Sequence, residues 1–225
     1  METFKEHFQI YCNEIDILLG SYCLWKELQF NINDDDDLLM SSSRSWRVIK
    51  HSLQVTYFTV LNRILEGGND NFSVFDLLQF CIDNIEIFKK ENLKKRKIQN
   101  RDEEPDWLKE YMKNVHEPNE TDFLRLQGEI SKIKNMYRKK YRKIRNKILI
   151  HKDKQYIGNE KDLWNQTKIT ESEAILWTLA DLENTIFSIY ENGVKAILTS
   201  DQPDLSRYEN DFGMLFKRLK QFNTT

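Results

Sequence analysis

Arg145, Asn146, His151 and Asp153 are the residues of this chain whose types and spacing suit phosphoryl chemistry. An imidazole titrates near neutrality, so His151 can take and return a proton at physiological pH. A guanidinium is a permanently charged fork matched to phosphate oxygens, which suits Arg145 to hold developing negative charge. Asn146 can orient a phosphate or the imidazole, and Asp153 can set the imidazole tautomer. Such a set fits attack by a hydroxyl on a phosphorus. That reaction needs one group to accept the hydroxyl proton and another to hold the phosphate oxygens, and it needs no metal ion.

These residues close a strongly basic stretch, Ser131 to Lys154. Eleven of its 24 residues are Lys or Arg and only Asp153 is acidic, in a chain whose formal charge is −2. One concentrated positive segment in an otherwise acidic protein points to a polyanionic partner. Arg138, Arg142 and Arg145 share a helical face, and Tyr137 and Tyr141 are interleaved with the charges. Arg138, Lys139, Lys140, Arg142, Lys143 and Lys147 are the candidate contacts to an RNA backbone. In an unbroken helix six residues turn through about 600°, which leaves Arg145 and His151 about 120° apart. The pair therefore needs the reach of Arg145, a second chain, or an end to the helix before His151. The competing reading of His151 is a buried, hydrogen-bonded core residue, because it follows Ile144 and Ile148 on the apolar stripe. A similar spacing at Arg44 and His51 has no such context. His7, His51 and His116 read as structural or incidental.

The elements that must position this set are helices. Gly and Pro are scarce, at 7 and 3 residues, so turns are few and elements long. Apolar spacing predicts a first helix from Thr3 to about Gln29, with Phe4, Phe8, Tyr11, Ile15, Leu18, Tyr22 and Trp25 on one stripe. The run Asp34 to Asp37 predicts a solvated loop. A second helix is expected from Ser43 to Glu66, stopped by a left-handed cap at Gly67, with a turn at Asn69 to Asn71. Ser73 and Asp76 form a capping box for a third helix reaching about Lys95. Residues 98–120 read as a surface insertion holding a short helix near Asp106 to Val115. The fourth helix starts after Thr121 and carries Phe123, Leu126, Ile130, Ile133, Tyr137, Tyr141, Ile144 and Ile148 inward. Thr170 and Glu173 predict a capping box for a fifth helix to about Leu198. An accessory helix from Leu205 to Phe222 lies within residues 199–225, and Asn223 to Thr225 should fray.

The chain thus reads as a single all-α domain over residues 1–225, an antiparallel bundle of long helices with peripheral ones. No apolar run is long enough for a membrane span, and the N-terminus lacks signal-peptide character, so a cytoplasmic location is expected. Cys12, Cys23 and Cys81 form no paired motif and read as reduced, packed thiols. Neither a metal site nor a cofactor is expected.

The pattern Arg-Asn, four residues, His resembles the signature of the HEPN superfamily, and His151-Lys152-Asp153 resembles its AbiU-type abortive-infection branch. Trp46 to Glu66 followed by Phe72 to Asn84 looks like that family's central helix pair. Ile150 departs from the pattern, which more usually has a small residue before the histidine. The resemblance implies a HEPN-like bundle and a metal-independent endoribonuclease acting as a toxin or antiviral effector, with RNA, including tRNA, as substrate. It implies a homodimer with the motif at the interface, and an antitoxin or nucleotidyltransferase as a restraining partner. The alternative is a non-catalytic helical module that binds RNA or protein in a toxin–antitoxin or defence system. A purely dimerising scaffold is a third reading.

Overall fold

The computed structural model describes residues 3–31, 43–67, 71–99 and 103–221. The Asp34 to Asp37 loop, part of the Asn69 to Asn71 turn and the Asn223 to Thr225 tail lie outside the described residues. Within them every regular element is helical, with no strand. The elements are α1 (Phe4–Asn31), α2 (Ser43–Glu66), α3 (Val74–Asp83), a 3₁₀ turn (Ile85–Phe88), α4 (Lys90–Ile98), α5 (Leu108–Asn114) and α6 (Glu120–Lys140). The chain continues through α7 (Arg142–Ile144), a π-helical turn (Arg145–Ile150), a 3₁₀ turn (Lys154–Tyr156), α8 (Glu160–Trp164), α9 (Ile169–Asn192) and α10 (Ser206–Gln221).

Apolar stripes on α1, α2, α3, α6 and α9 converge on one core. Tyr11, Ile15 and Leu18 of α1 meet Leu61 and Leu65 of α2, Leu77 and Leu78 of α3, Phe123 and Ile130 of α6, and Leu179 and Ile186 of α9, all buried. The polar ends of core tyrosines tie the helices together, since a buried hydroxyl needs a partner. Tyr11 donates to the Leu179 carbonyl at 2.8 Å, and Tyr22 donates to Glu173. Arg63 clasps Glu14 at 2.6 Å between α2 and α1. The last helix lies on α1, where Tyr208 donates to Asp16 at 2.5 Å.

Ser73 and Asp76 cap α3 as the sequence predicts, and Gly67 ends α2 in the left-handed region at φ +58°. Three other boundaries differ. The expected third helix breaks at Asn84, whose side chain donates to the Phe80 carbonyl at 2.9 Å and so competes with the helical ladder. A 3₁₀ turn and α4 replace its second half. Asn119, not Thr121, caps α6, paired with Asp122. The Thr170–Glu173 box does not form: α9 starts two residues earlier, after Lys168, and the Glu173 carboxylate takes the Tyr22 hydroxyl instead.

The fifth predicted helix also stops short of Leu198. Gly193 adopts φ +59°, ψ 48° and terminates α9 at Asn192. Its carbonyl accepts the His116 N–H at 2.7 Å. Residues 103–120 are anchored beside this cap by Leu108 and Val115, both buried, and by the Tyr111 hydroxyl, which donates to the Asn192 carbonyl at 2.9 Å.

Candidate active site

The basic segment runs antiparallel to α2, and contacts repeat along the pair. Arg138 grips Glu66 with two bonds, Nε–Oε1 at 2.6 Å and Nη2–Oε2 at 2.8 Å. One turn further, Asn62 Oδ1 accepts both the Tyr137 hydroxyl at 3.2 Å and Arg145 Nη1 at 3.1 Å. Phe58 stacks on Tyr141 with centroids 6.0 Å apart, and the Tyr141 hydroxyl donates to the Lys168 carbonyl. Tyr137 and Tyr141 are thus core residues with their hydroxyls spent, not part of an RNA-facing surface.

Of the three arrangements left open for Arg145 and His151, the chain shows an end to the regular α-helix before His151. The chain turns at Tyr141, resumes over Arg142–Ile144, and then widens into a π turn over Arg145–Ile150. A π turn inserts one residue into the helical register. After Ile144 the buried position is therefore Leu149 rather than Ile148. The same slip removes His151 from the apolar stripe. The imidazole is exposed and makes no hydrogen bond among the described residues, which overturns the reading of a buried core histidine.

This turn also joins Asn146 to His151. The His151 N–H donates to the Asn146 carbonyl at 3.3 Å, and the Asn146 side chain accepts from Arg145 Nη1 at 2.7 Å. Arginine, asparagine and histidine are connected through one asparagine, although no hydrogen bond links the Arg145 and His151 side chains. Arg145 Nε is buried and has no partner. A buried guanidinium N–H without an acceptor is unusual, and Arg96 Nε shares the condition.

The chain leaves the π turn through Lys152, which has φ +43°. A non-glycine residue in that region is sparsely populated and tends to occur where function fixes the backbone. The Asp153 N–H then reaches back to the Lys147 carbonyl at 2.8 Å, a Schellman-like closure one residue wider than usual. The same two residues are joined by their side chains at 2.7 Å. Asp153 further accepts the Gln155 N–H at 3.0 Å. Its carboxylate is therefore bound to Lys147 and Gln155 and not to His151.

The expected RNA-contacting cations divide into two sets. Arg138 is paired with Glu66, Lys140 with Glu171 at 2.5 Å, and Lys147 with Asp153. Lys139 and Arg142 are exposed without an ion pair among the described residues, and Lys143 lies 5.1 Å from the Tyr156 ring centroid. Sequence reasoning missed Asn62, which anchors Arg145. Its only signal was a polar residue between the buried Leu61 and Ile64.

The paired acids are held below the usual carboxylate range. Arg138's hydrogen bonds lower Glu66, Lys140's lowers Glu171, and Lys147's together with the Gln155 N–H lower Asp153. A depressed carboxylate contributes stability that is full above its unfolded value, about 4.3 for Glu, and is lost as pH falls through the folded value. Thermal unfolding of Arg138→Gln beside the unsubstituted chain should therefore give a lower Tm at pH 7. The gap should close progressively below about pH 4. A gap that persists at pH 3 would remove the ion pair as its cause.

The profile of the HEPN_AbiU2 family, described as AbiU2, matches residues 1–212. The chain belongs to the AbiU2 family of HEPN proteins. An all-α bundle of long helices with shorter peripheral ones agrees with that membership. No curated protein and no solved structure matches the chain. No described helix is long and apolar enough to cross a membrane. The match extends the HEPN resemblance beyond the Trp46–Asn84 helix pair and the Arg145–His151 motif to residues 1–212. Membership of that family supports a nuclease or defence role in general.

Proposed function

We propose that this AbiU2 protein is a metal-independent endoribonuclease of a toxin or antiviral system, with Arg145, Asn146 and His151 as its catalytic set. The observation that carries the reading is the π turn. It frees His151 from the core while Arg145, one turn away, keeps a buried Nε–H unpartnered. His151 takes the proton of the 2′-hydroxyl as its oxygen bonds to phosphorus, and the P–O5′ bond breaks. The 5′-oxygen leaves as a hydroxyl with a proton from water or from the second copy's imidazole, while the Arg145 guanidinium holds the charge on the phosphate oxygens. Asn146 orients Arg145 through its side-chain oxygen. Asp153 acts as a positioning residue, closing the turn with Lys147, rather than as a partner of the imidazole.

The site is completed by a second copy of the chain. Ile150 and Ile157 are exposed apolar residues near His151, 41% and 67% accessible, and give that face the character of an interface. An antitoxin or nucleotidyltransferase would restrain the activity by covering the same region. RNA, including tRNA, is the substrate class that fits the charge of the segment.

A non-catalytic RNA- or protein-binding module is the second reading, favoured by the engagement of Asp153 away from His151. Incubating the protein with total RNA in EDTA, beside His151→Ala and Arg145→Ala, separates the two. Cleavage by the unsubstituted chain alone supports the enzyme, and binding without cleavage by any form supports the module. Cleavage that survives in His151→Ala removes the site assignment.

Backbone contact by the unpaired cations has its own test. Arg142→Gln and Lys139→Gln should each reduce the slope of log affinity against log salt by about 0.7 for single-stranded RNA. The same change at Arg138, whose charge is neutralised by Glu66, should alter the slope less. Equal slopes for all three variants would contradict the division of the cations.

A further inference from the structure

An aromatic cavity adjoins the candidate active site and has no part in the chemistry above. It lies between α1, α2 and the start of α9 and has a volume of about 220 Å³. Tyr22, Trp25, Tyr57, Phe58, Tyr141 and Trp164 supply its walls. The rings hold one another in place: Tyr57 meets Phe58 edge-on at 5.2 Å, and Trp164 meets Phe58 at 5.9 Å. The tyrosine hydroxyls are already satisfied, by Glu173 for Tyr22, Ser172 for Tyr57 and the Lys168 carbonyl for Tyr141. The indole N–H of Trp25 is not: Nε1 is buried without a partner.

Ligand pockets for drug-sized molecules are about 300–1,000 Å³, so this space suits a smaller, one- or two-ring system. Aromatic walls favour a flat ring, and an unmet indole donor favours one carrying a ring nitrogen or carbonyl acceptor. Lys168 and Ile169, both exposed, stand at its edge. Gln54 and Trp164 line this cavity and also the cleft of about 430 Å³ formed by His51, Lys147, Lys152, Asp153 and Tyr156. The cavity therefore shares a wall with the closure that presents His151.

We propose that this cavity is a base subsite, which takes one nucleobase of an RNA strand whose backbone lies along the Arg142–Lys152 segment. The inference rests on the RNA reading given above and adds the means of positioning. Capturing a base between aromatic rings fixes the strand relative to the catalytic turn, and the Trp25 N–H and Gln54 amide supply edge contacts that select among bases. A free nucleotide has the same base chemistry and is separated from an RNA strand by the test.

The test uses the full chain in EDTA and a 12-residue single-stranded oligonucleotide in which 2′-O-methyl groups prevent cleavage. One position carries 2-aminopurine, whose fluorescence is quenched on stacking, and binding is read in parallel by anisotropy. Quenching should saturate with binding. Trp164→Leu, which removes a partly exposed wall, and Gln54→Trp, which fills the cavity, should abolish the quench. Each should weaken binding by about 5- to 150-fold, the range for losing one base stack. Trp25→Phe, which keeps a ring and removes the donor, should retain the quench and narrow the difference between base identities at that position. 2-Aminopurine riboside monophosphate added alone should quench far more weakly at equal concentration. Quenching equal to that of the oligonucleotide would make the site one for free nucleotides and overturn the proposal. Salt-sensitive oligonucleotide binding with a quench unchanged in both cavity variants would overturn the base subsite and leave the RNA reading standing. Absence of oligonucleotide binding would remove both.

Discussion

RNA cleavage in EDTA by His151→Ala should be about 10²–10⁴-fold slower than by the unsubstituted chain, the usual contribution of a positioned acid–base group. Its thermal stability should be unchanged within about 0.5 kcal/mol, because an exposed imidazole without hydrogen bonds supports nothing in the fold. Separation of activity from stability distinguishes chemistry from architecture at this position. Arg145→Ala should reduce the rate by about 10²–10³-fold, as for loss of a donor to developing negative charge. It also leaves Asn62 Oδ1 with only the Tyr137 hydroxyl, so a modest fall in Tm accompanies it. Arg145→Lys keeps the charge and loses the fork. If the planar fork matters, it should recover little activity. The double variant should be no slower than the worse single one, since groups acting on one step are not additive. Equal activity of His151→Ala and the unsubstituted chain would contradict the assignment.

The largest stability effect is expected far from the motif, at Gly193→Ala. Gly193 has φ +59°, and a Cβ there would lie 2.5 Å from Val115 Cγ1, 2.8 Å from Leu93 Cδ2 and 3.2 Å from the His116 carbonyl oxygen. A side chain in the left-handed region costs about 1–2 kcal/mol. Crowding a packed site adds about 1–3 kcal/mol. The sum, about 2–5 kcal/mol, is a large part of the 5–15 kcal/mol that holds a typical domain together. For a chain of this size each kcal/mol lowers Tm by about 2–4 °C, so a fall of roughly 4–20 °C is expected by circular dichroism. Val115→Ala in the Gly193→Ala background should recover part of the loss by removing the nearest clash, while the backbone strain remains. A fall below 2 °C, or no recovery on trimming Val115, would show that the cap tolerates a side chain.

Residue periodicity made the bundle legible, because a stripe that repeats every three to four residues specifies both a helix and its buried face. The Ser73–Asp76 box and the Gly67 stop were equally readable, as local signals that tertiary packing did not override. Where competing partners existed, sequence reasoning went astray. Glu173 was available to a cap but serves Tyr22 across the core. Asn84 looked like an ordinary position on a helix but diverts the Phe80 carbonyl. Gly193 carried the usual signal for a helix end, and Ala196 further on obscured it by continuing the apolar spacing.

The π turn was the most consequential omission. Tyr141, Ile144 and Ile148 keep α-helical spacing, so nothing in the periodicity announces an inserted residue. The cause is tertiary. Leu149 takes the buried position after Ile144, and the Lys147–Asp153 closure holds the widened turn in place. The 120° offset drawn from an unbroken helix is accordingly replaced by an end to the helix before His151. The charge run was legible as a total but not in its parts, because pairing of Arg138 and Lys140 depends on Glu66 and Glu171, which are distant in sequence.

The measurement that tests the central claim most directly is the chemistry of the ends left by cleavage. A defined oligoribonucleotide is incubated with the full chain in EDTA and the products are resolved by mass. Attack by the 2′-hydroxyl, assisted by His151 and held by Arg145, leaves a 2′,3′-cyclic phosphate on one fragment and a 5′-hydroxyl on the other. Both should appear with the unsubstituted chain and be absent with His151→Ala. Fragments bearing a 5′-phosphate, or cleavage that appears only when a divalent cation is restored, would contradict the account.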